Sequence, residues 1–169
     1  MRLCRAYMVL AVLLAMTGCG KNAPKSPVTR LRQAVEQGRT AEVRQLLADG
    51  VSANEPNEFG ATAVHVAVLC GRTEPLRVLL EAGGDPNRAT PAGLTPLHLA
   101  VGRGDAEAIR ILLQHGAKAD QGDARGRTPL HYAQQTHQAD LARLLGGSAS
   151  GPDEVPPSRE SNSGPGGQP

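Results

Sequence analysis

Residues 93 to 120 read GLTPLHLAVGRGDAEAIRILLQHGAKAD, and their order of apolar, capping and glycine residues decides the fold. Thr95 is placed to cap a helix amino terminus, and Pro96 falls in the first turn, where its missing N–H costs nothing. Leu97, Ala100 and Val101 then share one helical face. Gly104 ends that helix, because glycine takes the left-handed conformation of a helix stop without penalty. Ile109, Leu112 and Leu113 form the apolar stripe of a second helix, which Gly116 stops. The stretch from Ala117 to Arg125 holds the polar and glycine residues of a tight turn. One such helix pair cannot bury its own stripe, so it needs copies of itself as neighbours.

The copies are present at a step of 33 residues. Gly60, Gly93 and Gly126 keep that step, as do Thr62, Thr95 and Thr128, and His65, His98 and His131. Ala67, Ala100 and Ala133 repeat it, and so do Gly50, Gly83 and Gly116, and the set Asn54, Asn87 and Asp120. Leucine pairs at 46–47, 79–80 and 112–113 follow it, while the last pair, at 144–145, falls one residue short.

These residues resemble ankyrin repeats. The stretch 93–120 matches almost throughout, and GATAVHVAVLCGRTEPLRVLLEAGGDPN, 60 to 87, matches with Ala63 and Val64 where Pro and Leu are usual. GRTPLHYAQQTHQADLARLL, 126 to 145, matches at its start and has His137 at the place of the inter-helix glycine. VTRLRQAVEQGRTAEVRQLLADGVSAN, 28 to 54, keeps the helix pair without the TPLH motif. The resemblance implies an all-α solenoid of about four helix-turn-helix repeats, near 28–54, 57–87, 90–120 and 123–145. It also implies that Thr62, His65, Thr95, Pro96, His98, Thr128, Pro129 and His131 are structural, each imidazole bracing a turn through neighbouring backbone.

The two ends of the chain read differently. Arg2 and Arg5 precede the apolar run AYMVLAVLLAM, 6 to 16. As a helix this run spans roughly 16 Å, against a hydrocarbon core of about 30 Å, so it has the length of a signal-peptide core and is too short to cross. Met16, Thr17 and Gly18 before Cys19 resemble a bacterial lipoprotein signal. That resemblance implies cleavage after residue 18 and lipid on the Cys19 thiol, with two or three acyl chains giving stable attachment. An ordinary secretory signal cleaved near Gly18 and an uncleaved anchor are the competing readings. Gly20 follows Cys19 where Asp would suggest inner-membrane retention, which favours the outer membrane, facing the periplasm. Residues 19–27 then form the lipidated cysteine and a short tether. Residues 146–169 hold 6 Gly, 5 Pro and 5 Ser, a composition that cannot offset its ordering entropy and reads as a disordered tail.

Composition narrows the functional classes. The chain has 169 residues and a net charge of +2, and both excess cations lie before Cys19, so the remainder is neutral. Neither nucleic acid nor an anionic headgroup is expected as its main partner. With no Trp, one Phe (Phe59) and two Tyr (Tyr7 and Tyr132), the core must be built from Leu, Val, Ile and Ala. Removal of Cys4 and lipidation of Cys19 leave Cys70 alone, so the fold holds together without a disulfide.

No site for chemistry emerges. The motifs G-x-S-x-G, H-E-x-x-H and G-x-x-x-x-G-K-[ST] are absent. A 33-residue step puts one imidazole on each repeat instead of gathering three at one ion, and His115 and His137 lack ligand spacing. We therefore expect no enzyme activity, cofactor, metal or small-molecule substrate. Cys70 reads first as structural filler and second as a redox-sensing or partner-linking thiol.

The resemblance to ankyrin repeats implies that turn tips and first-helix faces make the contacts while the periodic residues hold the scaffold, so function is expected in side chains that break the period. At the turn tips these are Glu55, Glu58 and Phe59; Arg88, Pro91 and Leu94; and Gln121, Arg125 and Arg127. On the first-helix faces they are Leu69, Cys70, Arg103 and Gln135. Phe59 is either a binding anchor, as exposed aromatics often are, or folded back over its own repeat. The tips pass from acidic at 55 and 58 to basic at 125 and 127. The expected function is a monomeric, membrane-anchored lipoprotein that holds or presents one protein partner through its concave face and tips. An immunity or inhibitor protein against a toxic enzyme, and an assembly or stress-protection factor for a periplasmic enzyme, are the alternatives.

Overall fold

The computed structural model describes residues 26–146. Among them are eight helices: α1 (Pro27–Glu36), α2 (Thr40–Ala48), α3 (Ala63–Leu69), α4 (Thr73–Glu81), α5 (Pro96–Arg103), α6 (Ala106–Gln114), α7 (Pro129–Gln135) and α8 (Ala139–Leu144). They pair as four antiparallel hairpins. The first helices α1, α3, α5 and α7 stack on one another in one layer, and α2, α4, α6 and α8 stack in a second. This is the all-α ankyrin-type solenoid expected from the 33-residue step. Helices this short are marginal alone in water, so neighbours in the stack must supply their stability.

Burial follows position in the stack. In α3 every residue from Ala63 to Val68 is buried, and in α5 every residue from Pro96 to Val101. Both have a hairpin on either side. In the end helix α7 only Pro129 and Ala133 are buried. Leu31, Val35, Val43, Val64, Leu76, Leu79, Leu97, Ile109 and Leu112 form the spine of one continuous core. Each such side chain contributes roughly 1.5–3 kcal/mol through burial. The second helices α2, α4, α6 and α8 carry Glu42, Glu74, Glu107 and Asp140 in their first turns, where a carboxylate favours the helix dipole.

Side chains also tie hairpin to hairpin. Asn54 donates through Nδ2 to the Gly83 carbonyl at 2.9 Å and accepts the Asp85 N–H at 2.7 Å. Asn87 does the same one step on, to the Gly116 carbonyl at 2.9 Å and from the Lys118 N–H at 2.7 Å. The third place in this row is Asp120, whose carboxylate, unlike the Asn side chains, has no N–H to donate. Arg72 donates to the Glu36 carbonyl at 3.0 Å and Arg103 to the Leu69 carbonyl at 2.7 Å, so each closes the end of the preceding first helix.

Two details depart from the sequence reading. The tether was expected to run to residue 27, yet Pro27 is the first residue of α1 and Ser26 caps it, its Oγ accepting the Thr29 N–H at 3.2 Å. Ser-Pro is a cap followed by a first-turn proline, and it adds a turn to the opening helix. In the last hairpin His137 takes the glycine place with φ of 54°, a left-handed conformation that strains a side chain with a Cβ. The signal segment, Cys19 and the tail beyond Gly146 lie outside the described residues.

Candidate protein-binding surface

The imidazoles of the repeat motif set where the tips sit. His65 is fully buried. Its Nδ1 accepts the Thr62 N–H at 3.2 Å and contacts the Thr62 hydroxyl at 2.9 Å, while Nε2 faces the Leu94 carbonyl at 3.3 Å. A backbone N–H can only donate and a carbonyl only accept, so His65 must be neutral with its proton on Nε2. His98 repeats the arrangement: Nδ1 accepts the Thr95 N–H at 3.2 Å and Nε2 donates to the Arg127 carbonyl at 2.9 Å. Each ring thus joins the start of one helix to the base of the next tip. Burial pushes His65 down from 6.5 to about 4, and burial lowers His98 as well. Among the described residues no three metal-ligating side chains converge.

The third histidine does not brace a turn. His131 is exposed, and only its backbone N–H is engaged, by the Thr128 hydroxyl at 3.3 Å. The bracing role implied by resemblance needs a following tip to accept the proton, and none follows among the described residues. At the other end of the row Arg32 stands where the later repeats have histidine. Its guanidinium donates to the Glu55 carbonyl at 3.4 Å, reaching the first tip by a longer arm.

Each tip is locked by one acceptor side chain. Asn57 Oδ1 accepts the Phe59 N–H at 3.0 Å and the Ala61 N–H at 2.9 Å. Thr90 Oγ1 accepts the Leu94 N–H at 3.3 Å. Asp123 Oδ1 accepts the Arg125 N–H at 2.8 Å and the Arg127 N–H at 2.9 Å. Residues 57, 90 and 123 keep the 33-residue step, a row that the search for identical residues missed because Asn, Thr and Asp differ. What they share is a side-chain oxygen that closes a turn. The tips also touch one another. The Ala124 N–H donates to the Ala92 carbonyl at 3.1 Å. A Cβ built on Gly93 would lie 2.4 Å from the Ala124 nitrogen, and one on Gly60 would lie 2.4 Å from Pro91 Cδ.

On this ridge the candidate residues divide into two groups. Phe59 is 51% exposed, the only large hydrophobic side chain so open among the described residues. Glu55, Glu58, Arg88, Pro91 and Arg125 are exposed too. Leu94, Gln121 and Arg127 have structural tasks. Leu94 is half-buried and receives His65, and Gln121 donates to the Asn87 carbonyl at 3.3 Å. Arg127 donates through Nε and Nη2 to Asp123 Oδ2 at 3.0 and 2.7 Å, and lies 4.7 Å from the centre of the Tyr132 ring. Tyr132 donates its hydroxyl to the same carboxylate at 2.8 Å and meets His98 edge to face at 5.5 Å. Burial alone would raise the Asp123 carboxyl, but these donors outweigh it and hold it well below the usual carboxylate range. Burial, with Asp123 beside it, pushes Tyr132 up to about 12. The sequence placed Arg127 among the binding residues, and only its partners in space reveal the latch.

On the first-helix face Leu69 and Cys70 are half-exposed and Arg103 and Gln135 exposed. Arg103 is anchored by the Leu69 carbonyl. Burial raises the Cys70 thiol, Glu36 adds to that, and Arg72 and Arg103 oppose it, so the thiolate that would react outward is disfavoured. No helix among the described residues is long and apolar enough to cross a membrane.

Comparison with known families agrees with this geometry. A family described as ankyrin repeats in three copies matches residues 82–153, and one described as ankyrin repeats in many copies matches residues 46–99. No curated protein matches the chain. Ankyrin repeats are protein-interaction modules and as a rule not enzymes. Together the two matches span residues 46–153, and the stacked hairpins within that span are ankyrin repeats.

Proposed function

We propose that this chain is a non-enzymatic binding module of the bacterial envelope, held by lipid on Cys19 at the periplasmic face of the outer membrane. It holds or presents one protein partner through its turn tips and the concave first-helix face. One observation carries the binding part of this reading: the tips are fixed by their own hydrogen bonds, yet the side chains of Glu58, Phe59, Arg88 and Arg125 are exposed and make no hydrogen bond or ion pair among the described residues. A surface already ordered loses little entropy when a partner arrives. Support for the anchor comes from the run ending in Met16, Thr17, Gly18 and Cys19. Lipid confines the module to a surface and so raises the local concentration of whatever it meets there.

The test is site-specific photocrosslinking in intact cells, with the reactive side chain placed in turn at Phe59, Leu69, Gln135 and, on the opposite layer, Arg44. Adducts to one protein from the first three places and none from Arg44 are expected. Adducts from Arg44 alone, or from no place, would remove the reading.

A further inference from the structure

The ridge carries a fixed order of chemistry that specifies the partner more closely. Residues 59, 92 and 125 occupy one 33-residue row, one exposed position in each tip, and are Phe, Ala and Arg. Residues 55, 88 and 121 form a second row of Glu, Arg and Gln. The first tip therefore presents an aromatic ring together with Glu55 and Glu58, the second a small flat contact beside Arg88, and the third Arg125. Arg32 donates to the Glu55 carbonyl and offsets part of its charge, so Glu58 is the freer anion. At the third tip Asp123 and Arg127 neutralise each other, which leaves Arg125 as the exposed charge. Among the described residues none of Glu58, Arg88 and Arg125 takes part in an ion pair.

Contact between the tips makes this order rigid. Gly60 lies against Pro91, Gly93 lies against Ala124, and the Ala124 N–H is bonded to the Ala92 carbonyl. Helices that stack side by side sit roughly 8–10 Å apart, so the first and third tips are about 20 Å apart.

We propose that the ridge is a bipolar docking edge for a folded protein whose matching face has an apolar socket rimmed by Lys or Arg and, about 20 Å away, exposed carboxylates. Phe59 fills the socket, Glu58 meets its basic rim, and Arg125 with Arg88 meets the carboxylates. The flat second tip lets the partner's surface lie across Ala92. Opposite charges at the two ends fix the direction in which the partner docks, since reversing it sets like charges against each other. A polyanion such as nucleic acid or an anionic bilayer is a poor match, because Glu55 and Glu58 repel it at the end where Phe59 would enter. This inference rests on the protein-binding reading above and narrows it to the tips.

The full-length protein is tested in intact cells with a photoreactive side chain at Ala92 or at Ala124, both exposed. The same protein should be captured from both places. Phe59→Ala and Arg125→Glu should each lower the yield about fivefold or more, with the melting temperature unchanged. The segment linked to Ala124 should carry Asp or Glu, and replacing those residues by Lys should restore capture by the Arg125→Glu protein. Capture that is indifferent to Arg125→Glu, or adducts only from Leu69 and Gln135, would overturn this proposal and leave the protein-binding reading standing. Silence from all of these places would end both.

Discussion

Acid should loosen this protein as pH falls below about 6.5, and the size of the effect follows from one buried ring. His65 is held neutral between the Thr62 N–H and the Leu94 carbonyl, with burial as the main cause of its depression from 6.5 to about 4. Asp85 favours its protonation and Arg88 opposes it, both more weakly than burial. An unfolded chain takes up the proton as pH falls through about 6.5, whereas the folded chain resists until about 4. Stability is therefore fully present above the unfolded value and is lost as pH drops between the two. Each tenfold change in proton affinity is worth about 1.4 kcal/mol, so His65 alone removes about 3 kcal/mol by pH 4. His98 is depressed by burial as well and acts in the same direction. A domain's whole stability is only about 5–15 kcal/mol, so the loss is large. Urea unfolding followed by far-ultraviolet circular dichroism at about pH 7, 6 and 5 measures it. The midpoint should fall with pH, and His65→Gln should be less stable at pH 7 but less steep below it. A midpoint independent of pH, or an equal slope in the His65→Gln protein, would refute the reasoning.

Other outcomes follow from the same structure. Gly93→Ala forces a Cβ onto the next tip at a φ of 77° and should cost at least about 2 kcal/mol, read as a fall in the urea midpoint. His137→Gly relieves the left-handed strain in the last hairpin and should add about 0.5–1 kcal/mol, after allowing for the extra freedom glycine gives the unfolded chain. Tyr132→Phe removes the hydroxyl that bridges Asp123 and Arg127 and should cost about 1 kcal/mol in thermal unfolding. Cys19→Ser should abolish incorporation of labelled fatty acid and move the protein from the membrane to the soluble fraction, whereas label retained by the variant would place the lipid elsewhere.

The scaffold was legible because it is periodic. One stretch, 93–120, named the cap, the stripes and the stops, and the 33-residue step carried them to Gly60, Thr62 and His65 and to Gly126, Thr128 and His131. What the sequence hid is of two kinds. Some rows conserve a role and not a residue: Asn57, Thr90 and Asp123 close the same turn with three different side chains, and Arg32 stands in the histidine row. Other contacts exist only between hairpins. Arg103 looked like a free cation until the Leu69 carbonyl was placed beside it, and Arg127 until Asp123 and Tyr132 closed around it. His131 shows the converse, since a motif residue at the end of the described stack lacks the neighbour its role requires.

At the base of the account is a division of labour: turn backbones immobilised by their own side chains, so that Phe59 and Arg125 are free to recognise a partner. Amide hydrogen exchange in the full-length protein tests it most directly. The N–H groups of Phe59 and Ala61, bonded to Asn57, and of Arg125 and Arg127, bonded to Asp123, should exchange at least about a hundredfold more slowly than in an unstructured peptide, although they sit at surface turns. Exchange at unstructured rates there, with α3 and α5 still protected, would mean that the tips are loose and that the ridge is no prearranged surface.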